Sequence, residues 1–236
     1  WGGSKESFTE LRAAIAEQKL DIEVLTPDLP GFGDEAEPKE PWTVEKYAQW
    51  VTAWMKDRFT EQELKDRQLM ILGHSHGGRI AIWITSHDML PVDHLYLCAS
   101  AGIKHARHIK RIIGLTLAKT GKTLLRIPGL KLLQPLGKRF LYKLVRVHDY
   151  EKASFMMQQT LILVTKEDLR PLLRDIHVPT DIFWGENDGM TPVRDAYTMH
   201  TAIKHSHVKV FPGVRHAVHK DKAPEIVEAM RKNLVP

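Results

Sequence analysis

Glycine, histidine and serine crowd into one short run, Gly73-His74-Ser75-His76-Gly77-Gly78. A serine at G-x-S-x-G spacing has the pattern of a nucleophile elbow, in which a hydroxyl is presented on a tight turn between a strand and a helix. Glycines suit that turn, because side chains there would collide with the neighbouring strand and helix. The helix N-terminus that follows favours negative charge and so helps to stabilise a developing oxyanion. An alcohol is a weak nucleophile at neutral pH and needs a base, for which histidine is the usual choice. The chain has 13 histidines, so position has to select among them. His216, in Gly213-Val214-Arg215-His216, follows the last apolar run and precedes the last helical one; His219 is its rival. An acid must then orient the imidazole. Asp188, in the stretch from Trp184 to Pro192, directly follows another apolar run. Glu186, early in the turn, and Asp195, in a following helix, are the alternatives. After Leu95–Cys98 no acid occurs until Asp149, which removes another place for this residue. Ser75, Asp188 and His216 thus read as nucleophile, orienting acid and base.

The elements that must position these groups are legible as periodicities. Phe8, Leu11, Ile15 and Ala16 predict a helix over 8–18. Ile22 to Leu25 reads as a short strand, and Asp28-Leu29-Pro30-Gly31-Phe32-Gly33 as a turn. Thr43 caps a helix whose apolar positions run from Val44 to Met55. Strands are predicted at Gln68–Leu72, Leu95–Cys98, Thr180–Trp184 and Val208–Phe211. Helices are predicted at Arg79–His87, Lys166–Arg174, Pro192–His200 and Ala223–Leu234, the last with Asp221 as its cap. This alternation is that of an α/β fold, a mostly parallel sheet with helices on both faces. Runs such as Met70-Ile71-Leu72 do not alternate, as befits strands buried on both sides.

Taken together, these motifs resemble the α/β-hydrolase superfamily. The order Ser75, Asp188, His216 matches its order of nucleophile, acid and base. The segment Asp28–Gly33 looks like the turn after its fourth strand, 73–78 like its elbow, Trp184–Asp188 like its acid loop, and Gly213–His216 with Pro224-Glu225 like its histidine loop. The resemblance implies an oxyanion hole formed by the backbone N–H groups of His76 and Trp1. It also implies a His-Gly pair just before a segment like Trp1-Gly2-Gly3-Ser4, so a chain beginning at Trp1 would lack the first strands of the sheet and expose a sheet edge. Trp1 would then carry a free amine in place of a fixed peptide N–H. Asp34 stands where many relatives have a small residue such as Ser.

Composition narrows the classes. Of 236 residues, 43% are hydrophobic and 27% charged, a globular balance that excludes wholesale disorder. No apolar run approaches the roughly 18 residues of a spanning helix. The one cysteine, Cys98, makes neither an intrachain disulfide nor a cysteine zinc cluster, and points to a cytoplasmic location. The net charge of +5 is unevenly placed: 104–148 holds twelve Lys/Arg and no Asp or Glu, leaving a net of −7 elsewhere. By resemblance, 104–165 is a helical cap inserted after Leu95–Cys98, with 1–103 and 166–236 forming the hydrolase core. Leu124, Leu125, Leu132 and Leu133 among its cations make the cap amphipathic. The charge is either a solvated outer face or a surface for anionic lipid or an anionic substrate. A nucleic-acid partner is not expected, since aromatics are sparse there and no binding motif accompanies the charge.

The expected activity is hydrolysis of a carboxylic ester, a small-molecule acyl substrate, through an acyl-enzyme, with no cofactor or metal. Carbon–carbon bond hydrolysis and prolyl aminopeptidase activity use the same triad, so they stay open. So does a ligand receptor or scaffold on the same fold. A dehalogenase of this fold needs Asp at position 75, and the chain has Ser.

Overall fold

The structure, a computed structural model, describes residues 2–105 and 153–234. Most of the cap expected over 104–165, and Trp1, lie outside the described residues. Four strands form one sheet: β1 (Met70–His74), β2 (His94–Cys98), β3 (Thr180–Gly185) and β4 (Ser206–Phe211). They lie side by side in chain order, and every pairing is parallel. The register sets Gly73 beside Leu97, Leu97 beside Ile182, and Ile182 beside Val208. All four strands therefore end at the same rim. Parallel pairing needs a crossover between strands, and three are helical: α4 (His76–Ser86) follows β1, α5 (Phe155–Lys166) lies between β2 and β3, and α6 (Arg194–Ala202) lies between β3 and β4.

Before the sheet come a 3-10 turn at Lys5–Phe8, α1 (Thr9–Glu17), α2 (Val44–Lys56) and α3 (Glu61–Asp66); after it come the one-turn α7 (Val218–Asp221) and α8 (Ala223–Asn233). Thr43 caps α2 as predicted, its side chain accepting from the Lys46 N–H. β2 is buried along its whole length, in keeping with a strand covered on both faces. α4 lies against β1 and β2 on one side and α2 on the other, and so Ile80, Ala81, Ile82 and Ile84 are all buried. No helix among the described residues is long and apolar enough to cross a membrane.

Three local expectations are corrected. Ile22–Leu25 is not a strand. A strand exists through a hydrogen-bonded neighbour, and β1 pairs with β2 alone among the described residues. An apolar groove of about 550 Å³ lies between the segment and β1, lined by Ile22, Val24, Leu25, Trp54, Ile71 and Ile80. The helix expected over Lys166–Arg174 is instead the end of α5 followed by a separate 3-10 turn at Arg170–Asp175, with Pro171 in its first turn. Asp221 does not cap α8; it closes α7, and Lys222 takes the cap position.

α5, the described end of the proposed insertion, packs against the core. Thr160 Oγ1 accepts from the Trp42 N–H at 3.2 Å. Glu167, just beyond α5, accepts from the Val44 N–H at 3.0 Å.

Candidate active site

β1 ends at His74, and the chain turns at Ser75 with φ 52° and ψ −111° before α4 begins at His76. A non-glycine residue at positive φ is strained, and such strain is held only where surrounding contacts enforce it. Here the Ser75 N–H donates to the Cys98 carbonyl at 3.2 Å, and the Ser75 carbonyl accepts from Gly78 and Ala101. A Cβ on Gly73 would lie 2.6 Å from the Gly77 carbonyl and the Gly78 Cα, and one on Gly78 would lie 2.0 Å from Ser100 Oγ. Those two glycines are required sterically. Gly77 is not: a Cβ there meets nothing within 4 Å, because Gly77 faces the groove beside β1.

Asp188 stands beyond the end of β3 and His216 beyond the end of β4. His216 Nδ1 lies 2.8 Å from Asp188 Oδ2. An ionised carboxylate only accepts, so Nδ1 carries the proton and His216 Nε2 is left as the basic nitrogen. The Asp188 side chain has no exposed surface. Burial alone would push its carboxyl up, but the hydrogen bond and charge of His216 outweigh this and hold it below the ordinary carboxylate range. The Met190 N–H and the Thr191 hydroxyl work in the same direction. Thr191 Oγ1 is 2.8 Å from Asp188 Oδ2 and its N–H is 3.0 Å from Oδ1. Trp184 Nε1 donates to the Thr191 carbonyl and so anchors this loop to β3.

The Asp188 and His216 loops are stitched together. The Asn187 N–H donates to the Val214 carbonyl at 2.9 Å, and Glu186 accepts from the Gly213 N–H at 3.2 Å. Gly185 lets them meet, since a Cβ there would lie 2.2 Å from the Arg215 carbonyl.

The rivals are placed elsewhere. Asp195, on α6, takes both oxygens to His105 Nε2 at 2.9 and 2.8 Å. Glu186 supports the His216 loop from its backbone side. His219, on α7, is buried between Phe8 and His74, and burial drives its pKa down to about 4. No hydrogen bond joins Ser75 to His216 among the described residues; in resting sites this bond is often long and tightens around substrate. His76 is the first residue of α4, at the helix end whose N–H groups point outward along the axis.

A family model described as "Alpha/beta hydrolase family" matches residues 1–229. The chain belongs to the alpha/beta hydrolase family. An uncharacterized protein of Mycobacterium tuberculosis resembles this hydrolase at 24% identity, over 98% of this chain and 72% of that protein. A pimeloyl-[acyl-carrier protein] methyl ester esterase of Neisseria meningitidis serogroup A is 26% identical to it, over 92% of this chain and 69% of that one. The solved structure of a lipase-esterase related protein from Clostridium acetobutylicum shares the hydrolase's fold, with a TM-score of 0.69 at 19% identity, covering 99% of this chain and 90% of that one.

Position His74 was not singled out from sequence, although its signal was present: it is the residue immediately before the serine of the elbow motif.

Proposed function

We propose that this hydrolase cleaves carboxylic esters, with Ser75 as nucleophile, His216 as base and Asp188 as the acid that orients it. The observation that carries this reading is the Asp188–His216 pair: a wholly buried carboxylate 2.8 Å from Nδ1 leaves Nε2 basic, at the rim where Ser75 is held on a strained turn. Ser75 Oγ attacks the carbonyl carbon while its proton passes to His216 Nε2. The oxyanion accepts from the His76 N–H and, by resemblance to the family, from a second donor at Trp1. His216 then protonates the leaving alcohol, and the acyl group stays on Ser75. Water attacks that acyl carbon, gives its proton to His216, and releases the acid as Ser75 recovers its hydrogen. The relative named as a methyl ester esterase fits an ester over other acyl bonds.

The charge of 104–148 and its interspersed leucines support a cap over the site that presents a cationic face to anionic lipid. Vesicles with and without anionic lipid test that point; binding that ignores both lipid charge and salt excludes it.

The decisive experiment pairs a fluorophosphonate probe with p-nitrophenyl acyl esters on the full-length protein. The wild type is expected to label and turn over, and Ser75→Ala to do neither. Ester turnover retained in Ser75→Ala overturns the mechanism. Labelling without ester turnover, joined to cleavage of a vinylogous 1,5-diketone or a prolyl amide, moves the same residues to a different bond.

A further inference from the structure

Three imidazoles gather where β1 meets the histidine loop. His74 Nε2 lies 3.0 Å from the carbonyl oxygen of His216. A carbonyl has no proton to give, so His74 Nε2 carries the hydrogen and donates it. The rings of His74 and His216 are 4.8 Å apart between centroids, tilted by 51°. On its other contact, His74 lies 3.8 Å from the ring of His219, tilted by 30°. His219 in turn packs on Phe8 at 5.3 Å.

This bond matters because it holds the main chain at His216, where the contact with Asp188 holds only the ring. Main-chain bonds tie the loop at Val214 and again at Ala217, where α7 begins. Arg215 and His216 make no backbone–backbone hydrogen bond among the described residues. The His216 carbonyl is thus held from the strand that also presents Ser75. Burial, then the neighbouring His219 and His216, hold the pKa of His74 well below its ordinary value, which keeps the ring neutral and the donor in place. On His219, Lys220 of the same helix lowers the pKa and Glu10 of α1 raises it.

We propose that His74 is a positioning residue for the base: its Nε2–H fixes the main chain at His216 and thereby sets where the His216 ring stands relative to Ser75. This rests on the reading of Ser75 and His216 as nucleophile and base. It goes beyond that reading by giving a role to the residue before the serine, and by tying nucleophile and base to one strand end.

The test compares His74→Gln with His74→Met. The two side chains have the same length, and only Gln carries an N–H at the reach of Nε2. His74→Met is expected to lower kcat and the fluorophosphonate labelling rate about 10- to 100-fold, the effect of a misplaced catalytic group, with KM within about twofold. His74→Gln is expected to recover to within about threefold of wild type. A third variant, His74→Phe, keeps a ring against His219 without the donor and should match Met; it stands in for Met if Met does not fold. Thermal unfolding of each variant separates loss of fold from loss of rate. Equal rates in Gln and the donor-less variants, whether all fast or all slow, overturn the proposal. A wild type that does not label at all would instead overturn the serine-hydrolase reading.

Discussion

Thr191 Oγ1 donates to Asp188 Oδ2 across 2.8 Å, against the same oxygen that receives His216 Nδ1. The hydroxyl also sits 3.4 Å from His216 Nδ1 and 3.2 Å from the Ala99 carbonyl, so one side chain braces the Asp188–His216 pair against the end of β2. Thr191→Val keeps the shape and removes the donor. Asp188 retains the Met190 and Thr191 N–H groups. A charge-assisted bond is lost, and kcat on acyl esters should fall about 5- to 20-fold with KM little changed. Steady-state kinetics on one p-nitrophenyl ester at several pH values would check this.

Asp188→Asn tests the proposed orienting acid. The amide keeps the volume inside a fully buried site but can turn an N–H toward Nδ1, which favours the wrong imidazole tautomer. By analogy with other serine triads, kcat should drop about 10,000-fold while the fold survives. Glu186→Gln is the matched comparison, since among the described residues that carboxylate accepts from the Gly213 N–H alone, and it should cost far less activity.

The elbow glycines should separate in stability. Gly78→Ala drives a methyl to 2.0 Å from Ser100 Oγ and 2.6 Å from its Cβ, so it is expected to destabilise the protein by about 1–3 kcal/mol. Gly77→Ala meets nothing within 4 Å in a helical position, and should be neutral or stabilising by up to about 1 kcal/mol. Urea unfolding of the two variants, read at a single wavelength, distinguishes them. Equal losses would show that Gly77 is more crowded than its surroundings indicate.

Acid should weaken the fold through the histidine cluster. His219 is neutral in the folded state down to about pH 4, whereas in the unfolded chain it takes up its proton near pH 6.5. Between those values the unfolded state binds more protons, so stability is full above pH 6.5 and is lost as pH falls toward 4. His219 alone accounts for a loss of about 3 kcal/mol by pH 4. His74, lowered by burial and by its neighbours, adds to the same slope. His219→Phe, packed against Phe8, should flatten part of this dependence in denaturant titrations between pH 7 and 4. An unchanged slope would place the acid sensitivity elsewhere.

The four paired strands were readable because each is a short apolar run bounded by turn residues, and the elbow because its motif sits between one such run and a helix. Ile22–Leu25 has the same local character and yet is not a strand, because pairing is decided by what lies beside it and four residues carry no record of that. Asp221 carries the chemistry of a cap, but a one-turn helix takes it up before α8 starts. His216 and His219 are three residues apart with similar surroundings in sequence; only the position of Asp188 Oδ2 tells which imidazole it orients. Gly77 looked as constrained as Gly73 and Gly78 because the motif names spacing and carries no information on which neighbour each glycine would strike.

With Ser75 as the proposed nucleophile, its left-handed φ sets activity against stability at a single residue. Ser75→Ala removes the hydroxyl and leaves the β-carbon, so the backbone stays strained. Ser75→Gly removes both, and should be more stable than Ser75→Ala and than the wild type itself, by about 1 kcal/mol where the entropy of the unfolded glycine does not offset the relief. A chain selected only for folding would place glycine here. The serine marks a site at which the protein is a less stable object than its own architecture allows, and a stability scan across every position would single it out without any substrate being known.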